Sequence, residues 1–280
     1  MNAAVSDVAQ LRIRDIEVRG AEEAQAARIY TAGAPGARQD SLIVFFHGGG
    51  FVAGDLEEAD DFLRGLVSCN PGQIVLATNY TLATVRPFPA AVEDAHAILV
   101  WAKKNKSKLG WTGKQLIVAG IEAGANLAAV CALMSRDRGG PALAGQILIM
   151  PMLDPGLSSC SMRTLQTSPD LIEVADACAA AYRGYLPNAA DRTHPYASPL
   201  QSSRLKNLAP ALILSADDDP LRDEAEQYGA KLIACGVPTT VNRMMPAPLQ
   251  EPNARNECAC RGQALAAMVN FISTLEPAQG

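Results

Sequence analysis

Residues 42–50 read Leu42-Ile43-Val44-Phe45-Phe46-His47-Gly48-Gly49-Gly50, and this stretch decides the fold. Its first five residues are all apolar. A short run of this kind, rich in β-branched and aromatic side chains, predicts a buried strand. The glycines that follow allow a tight turn and let backbone N–H groups approach a ligand. The stretch therefore predicts a core strand that ends in a ligand-facing loop.

Similar apolar runs recur along the chain and alternate with segments of helical spacing. We predict further strands at 74–78, 115–119, 146–150 and 211–214, and helices at 60–67, 90–104, 123–135 and 223–235. Residues 9–17 and 25–31 predict a first hairpin. Apolar strands that alternate with amphipathic helices are typical of an α/β fold, a doubly wound, mostly parallel sheet with helices on both faces. We expect one domain over residues 1–280.

Composition and charge exclude several classes of protein. The formal net charge is −5, and no Lys/Arg cluster is expected to form a phosphate-binding face, so nucleic acid is not an expected partner. No apolar segment approaches the roughly 20 residues of a membrane span. Because the N-terminus does not read as a signal peptide, the seven Cys favour a cytoplasmic chain with free thiols. Cys258 and Cys260 form the only close pair, and neither a metal nor another cofactor is expected.

Four ordered motifs carry a family resemblance. They are His47–Gly54 (H-G-G-G-F-x-x-G), Tyr80–Asp94 (ending in F-P-A-A-x-x-D), Pro195–Leu200 and Asp219–Glu224 (D-P-L-R-D-E). The chain thus resembles the hormone-sensitive-lipase family of esterases over roughly residues 40 to 275. The resemblance implies an α/β-hydrolase fold with a small cap, formed by about residues 1–25 and 153–200. It also implies an oxyanion hole from Gly48, Gly49 and Ala123, and a triad acid at Asp219.

The two other positions of the catalytic triad depart from the family pattern. Where the family has G-D-S-A-G-G-N, this chain has Gly120-Ile121-Glu122-Ala123-Gly124-Ala125-Asn126, so Glu122 replaces the nucleophilic serine. The position of the catalytic histidine is best matched by Gln250, within one or two residues, and no His follows His194. Serine esterase chemistry needs a hydroxyl nucleophile, a base and an orienting acid. Only the acid remains.

Several roles stay open for Glu122. It could be a nucleophile, as Asp is at the same turn of haloalkane dehalogenases, or a general base that activates water. It could also accept hydrogen bonds from the oxyanion donors and plug the hole, or merely pair with a neighbour. Of the three histidines, His47 belongs to the glycine loop and His96 lies within a helix. His194 ends the cap and could reach the active site.

Three functional classes follow from the resemblance. The first, which we favour, is a non-hydrolytic pseudoenzyme that binds a small apolar ester-like or acidic ligand, or a protein partner, as gibberellin receptors use this scaffold for binding. The second is a hydrolase of carboxylic esters that uses Glu122. The third is a structural subunit with a vestigial pocket. A homodimer is a further expectation. Asp219 could instead be only a turn or helix-capping residue. We interpret Asp94 and Asn126 as structural residues.

Overall fold

The computed structural model describes residues 10–33, 36–164, 169–245 and 261–276. Its strands are β1 (Leu11–Arg19), β2 (Ala24–Ala32), β3 (Gln39–Phe46), β4 (Gln73–Thr78), β5 (Trp111–Ile121), β6 (Gly145–Ile149), β7 (Ala211–Ala216) and β8 (Thr239–Met244). Its α-helices are α1 (Asp60–Cys69), α2 (Ala90–Lys104), α3 (Lys106–Leu109), α4 (Ala123–Asp137), α5 (Cys160–Thr164), α6 (Pro169–Tyr185), α7 (Arg222–Ala234) and α8 (Arg261–Thr274).

The strands form one sheet in the order β1-β2-β4-β3-β5-β6-β7-β8. The first two pairings, β1 with β2 and β2 with β4, are antiparallel, and the others are parallel. The α/β-hydrolase fold with a doubly wound, mostly parallel sheet is therefore confirmed, and so is the first hairpin. The assignment of residues 1–25 to a cap needs correction: from Leu11 onward this segment is sheet, because its alternating side chains pair with β2. Residues 1–9 lie outside the described part.

Two apolar cores lie on the two faces of the sheet. One packs helices α2, α4 and α7 against one face, with Leu99, Leu127 and Tyr228 completely buried. The other packs α1 and α8 against the opposite face through residues such as Leu63 and Met268. The central strands are buried on both faces, which explains why they read as unbroken apolar runs.

The alternation of strands and helices is interrupted after β6. Here the chain forms α5 and α6, short 3₁₀ turns at Ala189–Thr193 and Pro199–Gln201, and connecting loops before β7 begins. We call residues 153–200 the cap segment. Its long helix begins at Pro169 and ends at Tyr185. None of the described helices is long and apolar enough to cross a membrane.

Candidate active site

The turn between β5 and α4 places the side chain of Glu122 at the carboxyl edge of the sheet. Glu122 has φ 55° and ψ −113°, a conformation that residues with a side chain rarely adopt and that costs about 1–3 kcal/mol. The turn also needs small neighbours: a Cβ on Gly120 would lie 2.2 Å from the carbonyl oxygen of Gly124, and one on Gly124 would lie 2.1 Å from that of Phe46. The predicted nucleophile elbow is therefore present in this chain, with a carboxylate at its tip.

The carboxylate of Glu122 is bound by the glycine loop. The backbone N–H of Gly49 donates a hydrogen bond to Glu122 Oε2 over 2.9 Å. A Cβ built on Gly48 would lie 2.9 Å from the same oxygen, so the loop approaches it as closely as a glycine allows. Ala123 is the buried first residue of α4, where the helix dipole favours a negative group. Of the predicted oxyanion-hole residues, Gly48 and Gly49 thus lie close to one Glu122 oxygen.

His47 and Tyr80 hold the glycine loop in place. The rings of the two residues stack, with centroids 4.4 Å apart. Tyr80 donates its hydroxyl to the carbonyl oxygens of His47, at 3.2 Å, and Gly48, at 3.1 Å. His47 Nδ1 lies 2.8 Å from the Gly48 carbonyl oxygen, so this nitrogen carries a proton and donates. His47 therefore supports the loop.

Burial shifts the pKa of both of these side chains towards the neutral form. Burial of the His47 ring lowers its pKa, and a hydrogen bond to Gly48 offsets this only in part. Burial of Tyr80, and then the negative charge of Glu122, raise the pKa of the phenol well above its usual range. The phenol of Tyr80 and the imidazole of His47 are therefore both neutral near pH 7.

The other two histidines have contacts elsewhere. His96 Nε2 lies beside Gly140 and Ser135. Ser135 is 13 residues along α4 from the elbow, which corresponds to about 20 Å of helix. The ring of His194 packs against Phe88 and Tyr196, and its Nδ1 accepts from the Tyr196 N–H. His96 is therefore remote from Glu122, and His194 is an exposed residue whose ring contacts Phe88 and Tyr196.

Asp219 lies in the turn that follows β7, where the resemblance placed the triad acid. It is buried, and its Oδ1 accepts a hydrogen bond of 3.0 Å from the N–H of Leu221. This contact matches the turn-capping interpretation without excluding a further role. Gln250, the proposed equivalent of the catalytic histidine, lies outside the described residues, as do Cys258 and Cys260.

Glu224 is a buried carboxyl that the sequence analysis did not single out. It is completely buried, and its Oε1 accepts from the backbone N–H of Leu153 over 2.6 Å and of Asp154 over 3.4 Å. Burial, followed by the charges of Asp154 and Asp219, raises its pKa well above its usual range. A signal was available, because Glu224 shares a helix face with the apolar Tyr228.

Asp94 and Asn126 have structural roles, as predicted. The carboxylate of Asp94 accepts from the N–H of Ala21, the amide of Gln25, and both the N–H and hydroxyl of Thr81. It therefore joins the β1–β2 turn and the Tyr80 loop to α2.

The amide of Asn126 donates to the carbonyl oxygens of Met152 and Ala197, which ties α4 to the two ends of the cap segment.

No group of His, Cys, Asp and Glu within the described ranges could hold a metal ion. The five cysteines found in these ranges are free thiols: Cys69, Cys131, Cys160, Cys178 and Cys235.

The strand order, the elbow and the glycine loop agree with a family comparison. A family model described as alpha/beta hydrolase fold matches residues 43–247. The chain belongs to this α/β-hydrolase family. The resemblance to the hormone-sensitive-lipase type is thereby confirmed at the level of the family.

Known relatives of the chain are esterases by name. Esterase LipI of Mycobacterium tuberculosis is 36% identical over 243 residues, which are 83% of this chain and 72% of LipI. Carboxylic ester hydrolase LipN of the same organism is 37% identical, over 80% of this chain, and the chain spans only 60% of LipN. A crystallised hyperthermophilic esterase from Pyrobaculum calidifontis superposes with a TM-score of 0.86 at 35% identity, over 94% of this chain and 85% of that one.

Proposed function

We propose that this α/β-hydrolase is a non-hydrolytic member of its family that binds a small apolar ester-like or acidic ligand at the elbow site. The observation that carries the proposal is the hydrogen bond from the Gly49 N–H to Glu122 Oε2. An oxyanion hole accelerates acyl transfer because its donors await the negative oxygen of the transition state. In this chain, a carboxylate oxygen of Glu122 accepts the hydrogen bond from Gly49, which supports a hole that is already filled.

Missing catalytic groups support the same proposal. Glu122 cannot supply the hydroxyl nucleophile, and Gln250, if it is the histidine equivalent, cannot take a proton near neutral pH. Asp219 would then have no imidazole to orient. Removal of single members of a triad already lowers turnover by about 10⁴-fold or more. With two members of the triad replaced, we expect the scaffold to bind a ligand without hydrolysing it.

The chemistry of the ligand follows from the groups at the elbow. A neutral carboxylic acid can donate a hydrogen bond to Glu122, and an ester can dock its apolar parts without a charge that Glu122 would repel. Phe51 follows the glycine loop and stacks on Tyr185 of the cap segment, with centroids 3.8 Å apart, and both rings are buried. The surroundings of the loop are therefore apolar, which supports an apolar ligand. A protein partner remains the alternative occupant of this face.

A second candidate is a hydrolase of carboxylic esters that uses Glu122. Its strained elbow presents the carboxylate as a nucleophile elbow presents its serine, and the named relatives are esterases. As a general base, Glu122 would take a proton from water as the water oxygen attacks the ester carbonyl, and that proton would pass to the departing alkoxide. As a nucleophile, its oxygen would attack the carbonyl and expel the alkoxide, which takes a proton from water, and a further water would hydrolyse the mixed anhydride to release the acid and restore Glu122.

The test measures hydrolysis and binding on the same preparations. Wild type, Glu122→Gln and the exposed control Glu173→Gln are assayed with p-nitrophenyl acetate and butyrate, and their melting temperatures are recorded with butyric acid and ethyl butyrate. We expect rates equal to buffer for all three proteins, and thermal stabilisation by a ligand that the Glu122 variant alters. Turnover by wild type and by the control that Glu122→Gln abolishes would establish the hydrolase instead.

Failure of both readouts would favour the structural subunit with a vestigial pocket. That class predicts no turnover, no stabilisation by small acids or esters, and a stable complex with a partner chain. Size-exclusion chromatography of the purified protein would test the predicted homodimer in the same experiment. The cytoplasmic location stays a prediction.

A further inference from the structure

The chain that leaves β6 contacts the backbone of the elbow. We call residues 150–154 the connector, because they lead from the end of β6 into the cap segment. The Met152 N–H donates to the carbonyl oxygen of Glu122 over 3.2 Å, and the Glu122 N–H donates to that of Ile149 over 2.9 Å. The amide of Asn126, near the start of α4, donates to the Met152 carbonyl oxygen over 2.7 Å. A shift of the connector therefore moves backbone partners of the elbow.

The next two residues of the connector are bound by the side chain of Glu224. Its Oε1 accepts from the Leu153 N–H over 2.6 Å and from the Asp154 N–H over 3.4 Å. Glu224 lies in the first turn of α7 and is completely buried, and its Oε2 has no hydrogen-bond partner among the described residues. The consecutive N–H groups of Met152 and Leu153 thus join the elbow backbone to the Glu224 carboxyl.

Both ends of the cap segment are attached to the same connector. The Leu153 carbonyl oxygen accepts from the Ser198 hydroxyl over 3.2 Å. The Asp154 carboxylate accepts from the Ser158 hydroxyl over 3.0 Å and from the Gln201 amide over 3.3 Å. A movement of the connector would therefore reach the elbow through Met152 and the cap segment at its first and last residues.

The groups that act on Glu224 favour its neutral form. Burial opposes ionisation most, the N–H groups of the connector offset this only in part, and the negative charges of Asp154 and Asp219 add to it. Burial, and then the charge of Glu224, raise the pKa of the Tyr182 phenol of α6 well above its usual range. The other charged groups of α7 and of the elements packed against it have partners of their own or are exposed, namely Arg222 and Asp223 (paired with each other), Glu226 and Arg243 (likewise paired), Lys231 (bound to the Leu200 carbonyl oxygen) and Arg163 of α5 (exposed).

We infer that Glu224 is a positioning residue of the elbow and that its proton acts as a switch. As a neutral acid, Glu224 holds the connector between α7 and the elbow. As a carboxylate under the charges of Asp154 and Asp219, it would need water that the closed core does not admit. Ionisation therefore favours a state in which the connector shifts and the cap segment loosens. Ligand binding at the elbow would then weaken, and this last consequence rests on the proposed function.

The direction of the pH dependence follows from the raised pKa of Glu224. The proton stabilises the closed arrangement, so this arrangement persists at low pH and is lost as the pH rises towards the pKa of the buried group. An ordinary Glu side chain has a pKa of about 4.3 and has already lost its proton at pH 6. A change that occurs above pH 6 is therefore not that of an exposed carboxyl group.

The test follows hydrogen–deuterium exchange of the full chain at pH 5.5, 7 and 8.5, with rates corrected for base catalysis of the intrinsic exchange. Peptides across 118–126 report on the elbow, and peptides across 150–158 report on the connector. Between pH 5.5 and pH 8.5 we expect protection of both regions to fall about tenfold in wild type and to stay within about twofold in Glu224→Gln, because one pKa unit corresponds to a tenfold change. The exposed Glu173→Gln is the control and should behave as wild type.

A second variant distinguishes the switch from a purely structural role. Asp154→Asn removes one of the two negative charges that act on Glu224, so the fall in protection should begin at a lower pH than in wild type. A purely structural Glu224 would give equal loss of protection at every pH in Glu224→Gln and no shift in Asp154→Asn. Elbow protection that does not change with pH in wild type, or that changes equally in Glu224→Gln, overturns the inference.

Melting temperatures with ethyl butyrate connect the switch to ligand binding. This ester carries no titratable group, so its own charge does not change with pH. We expect its stabilisation of wild type to decrease from pH 5.5 to pH 8.5, and its stabilisation of Glu224→Gln to stay constant. A constant stabilisation of wild type overturns the inference. Absence of stabilisation at every pH counts against the proposed function alone, and the exchange experiment then decides the inference.

Discussion

At the scale of single residues, the elbow keeps the strained turn that the family motif predicts, but a carboxylate stands where the family has a serine hydroxyl. Gly120 and Gly124 meet the steric demands of the turn, and Glu122 takes the strained conformation at its tip. The motif around the tip could therefore be recognised from the sequence. The hydrogen bond from Gly49 to Glu122 could not be singled out from the sequence. A long carboxylate side chain has several possible rotamers, so other contacts of Glu122 were equally open.

The Gly124→Ala change is expected to lower the free energy of unfolding by about 3 kcal/mol or more. The new Cβ would meet the backbone oxygens of Phe46 and His47 at 2.1 and 2.4 Å, and backbone cannot move aside as a flexible side chain can. Urea denaturation followed by circular dichroism measures the change. Gly262→Ala is the control, because a Cβ there meets nothing within 4 Å. A stable Gly124 variant would contradict the tight turn.

Glu224 gives a prediction about pH. Its surroundings include Asp154, Asp219 and the Tyr182 ring of α6, and burial raises its pKa. The folded protein therefore keeps this proton at a pH where the unfolded chain has lost it. The stability that the proton contributes is present below the unfolded pKa and is lost as pH rises towards the folded pKa.

Glu224→Gln mimics the protonated acid at every pH and keeps an oxygen for the N–H of Leu153. We expect the free energy of unfolding of the variant, relative to wild type, to rise steadily between pH 5 and pH 8. Urea titrations at four pH values measure it, with the exposed Glu173→Gln as control. A difference that is constant across the range would show that Glu224 does not change its protonation there.

At the scale of elements, the sequence predicted most of the sheet. Unbroken apolar runs identified β3 to β7, because strands buried on both faces must be apolar throughout. The edge strand β8 was missed, since Thr239–Met244 is half exposed and carries polar residues. Helix α8 was missed as well, because its alanines and apolar residues show little one-sided periodicity. The first 25 residues were assigned to a cap by resemblance, although β1 pairs along its whole length.

The contact between α6 and the glycine loop could not be read from sequence, because it joins residues more than 100 positions apart. Phe51 stacks on Tyr185, and a Cβ on Gly50 would lie 2.7 Å from that of Ala181. The cap segment therefore rests directly on the loop that binds Glu122. A change in this contact should alter both the stability of the protein and ligand binding at the elbow.

Two substitutions of Tyr185 distinguish what its ring contributes to this contact from what its hydroxyl contributes. The Tyr185 hydroxyl is buried and has no hydrogen-bond partner among the described residues. Tyr185→Phe should therefore leave the free energy of unfolding unchanged or raise it by up to about 1 kcal/mol. Tyr185→Ala removes the stacked ring and should cost about 3–5 kcal/mol. Equal losses for both variants in urea denaturation would contradict the stacking argument.

At the scale of the whole molecule, the candidate active site lies at one end of the sheet. The elbow follows the carboxyl end of β5, which is the usual place for a site in an open α/β sheet. The chain thus keeps the frame of its α/β-hydrolase family, with a carboxylate at the tip of the elbow.

Restoring a serine at the elbow should not by itself restore catalysis. Glu122→Ser frees the Gly49 N–H and supplies a hydroxyl, but His47 Nδ1 is already bonded to the Gly48 carbonyl oxygen and His194 Nδ1 to the Tyr196 N–H. We expect turnover of p-nitrophenyl butyrate below about 0.01 s⁻¹, roughly 10³-fold under a typical enzyme. Stopped assays with long incubation measure this rate. A faster reaction would reveal a base that the chain supplies from elsewhere.

The carboxylate held by the Gly49 N–H also has a consequence for chemical profiling. Fluorophosphonate reagents label serine hydrolases because an activated serine attacks phosphorus while the oxyanion donors hold its oxygen. If the proposed function is right, the elbow offers neither an activated serine nor a free Gly49 N–H, because Glu122 occupies it. A proteome treated with such a reagent would give a band for each active relative and none for this protein, however abundant it is. Surveys that count hydrolases by labelling would overlook it, and surveys that count them by fold would include it.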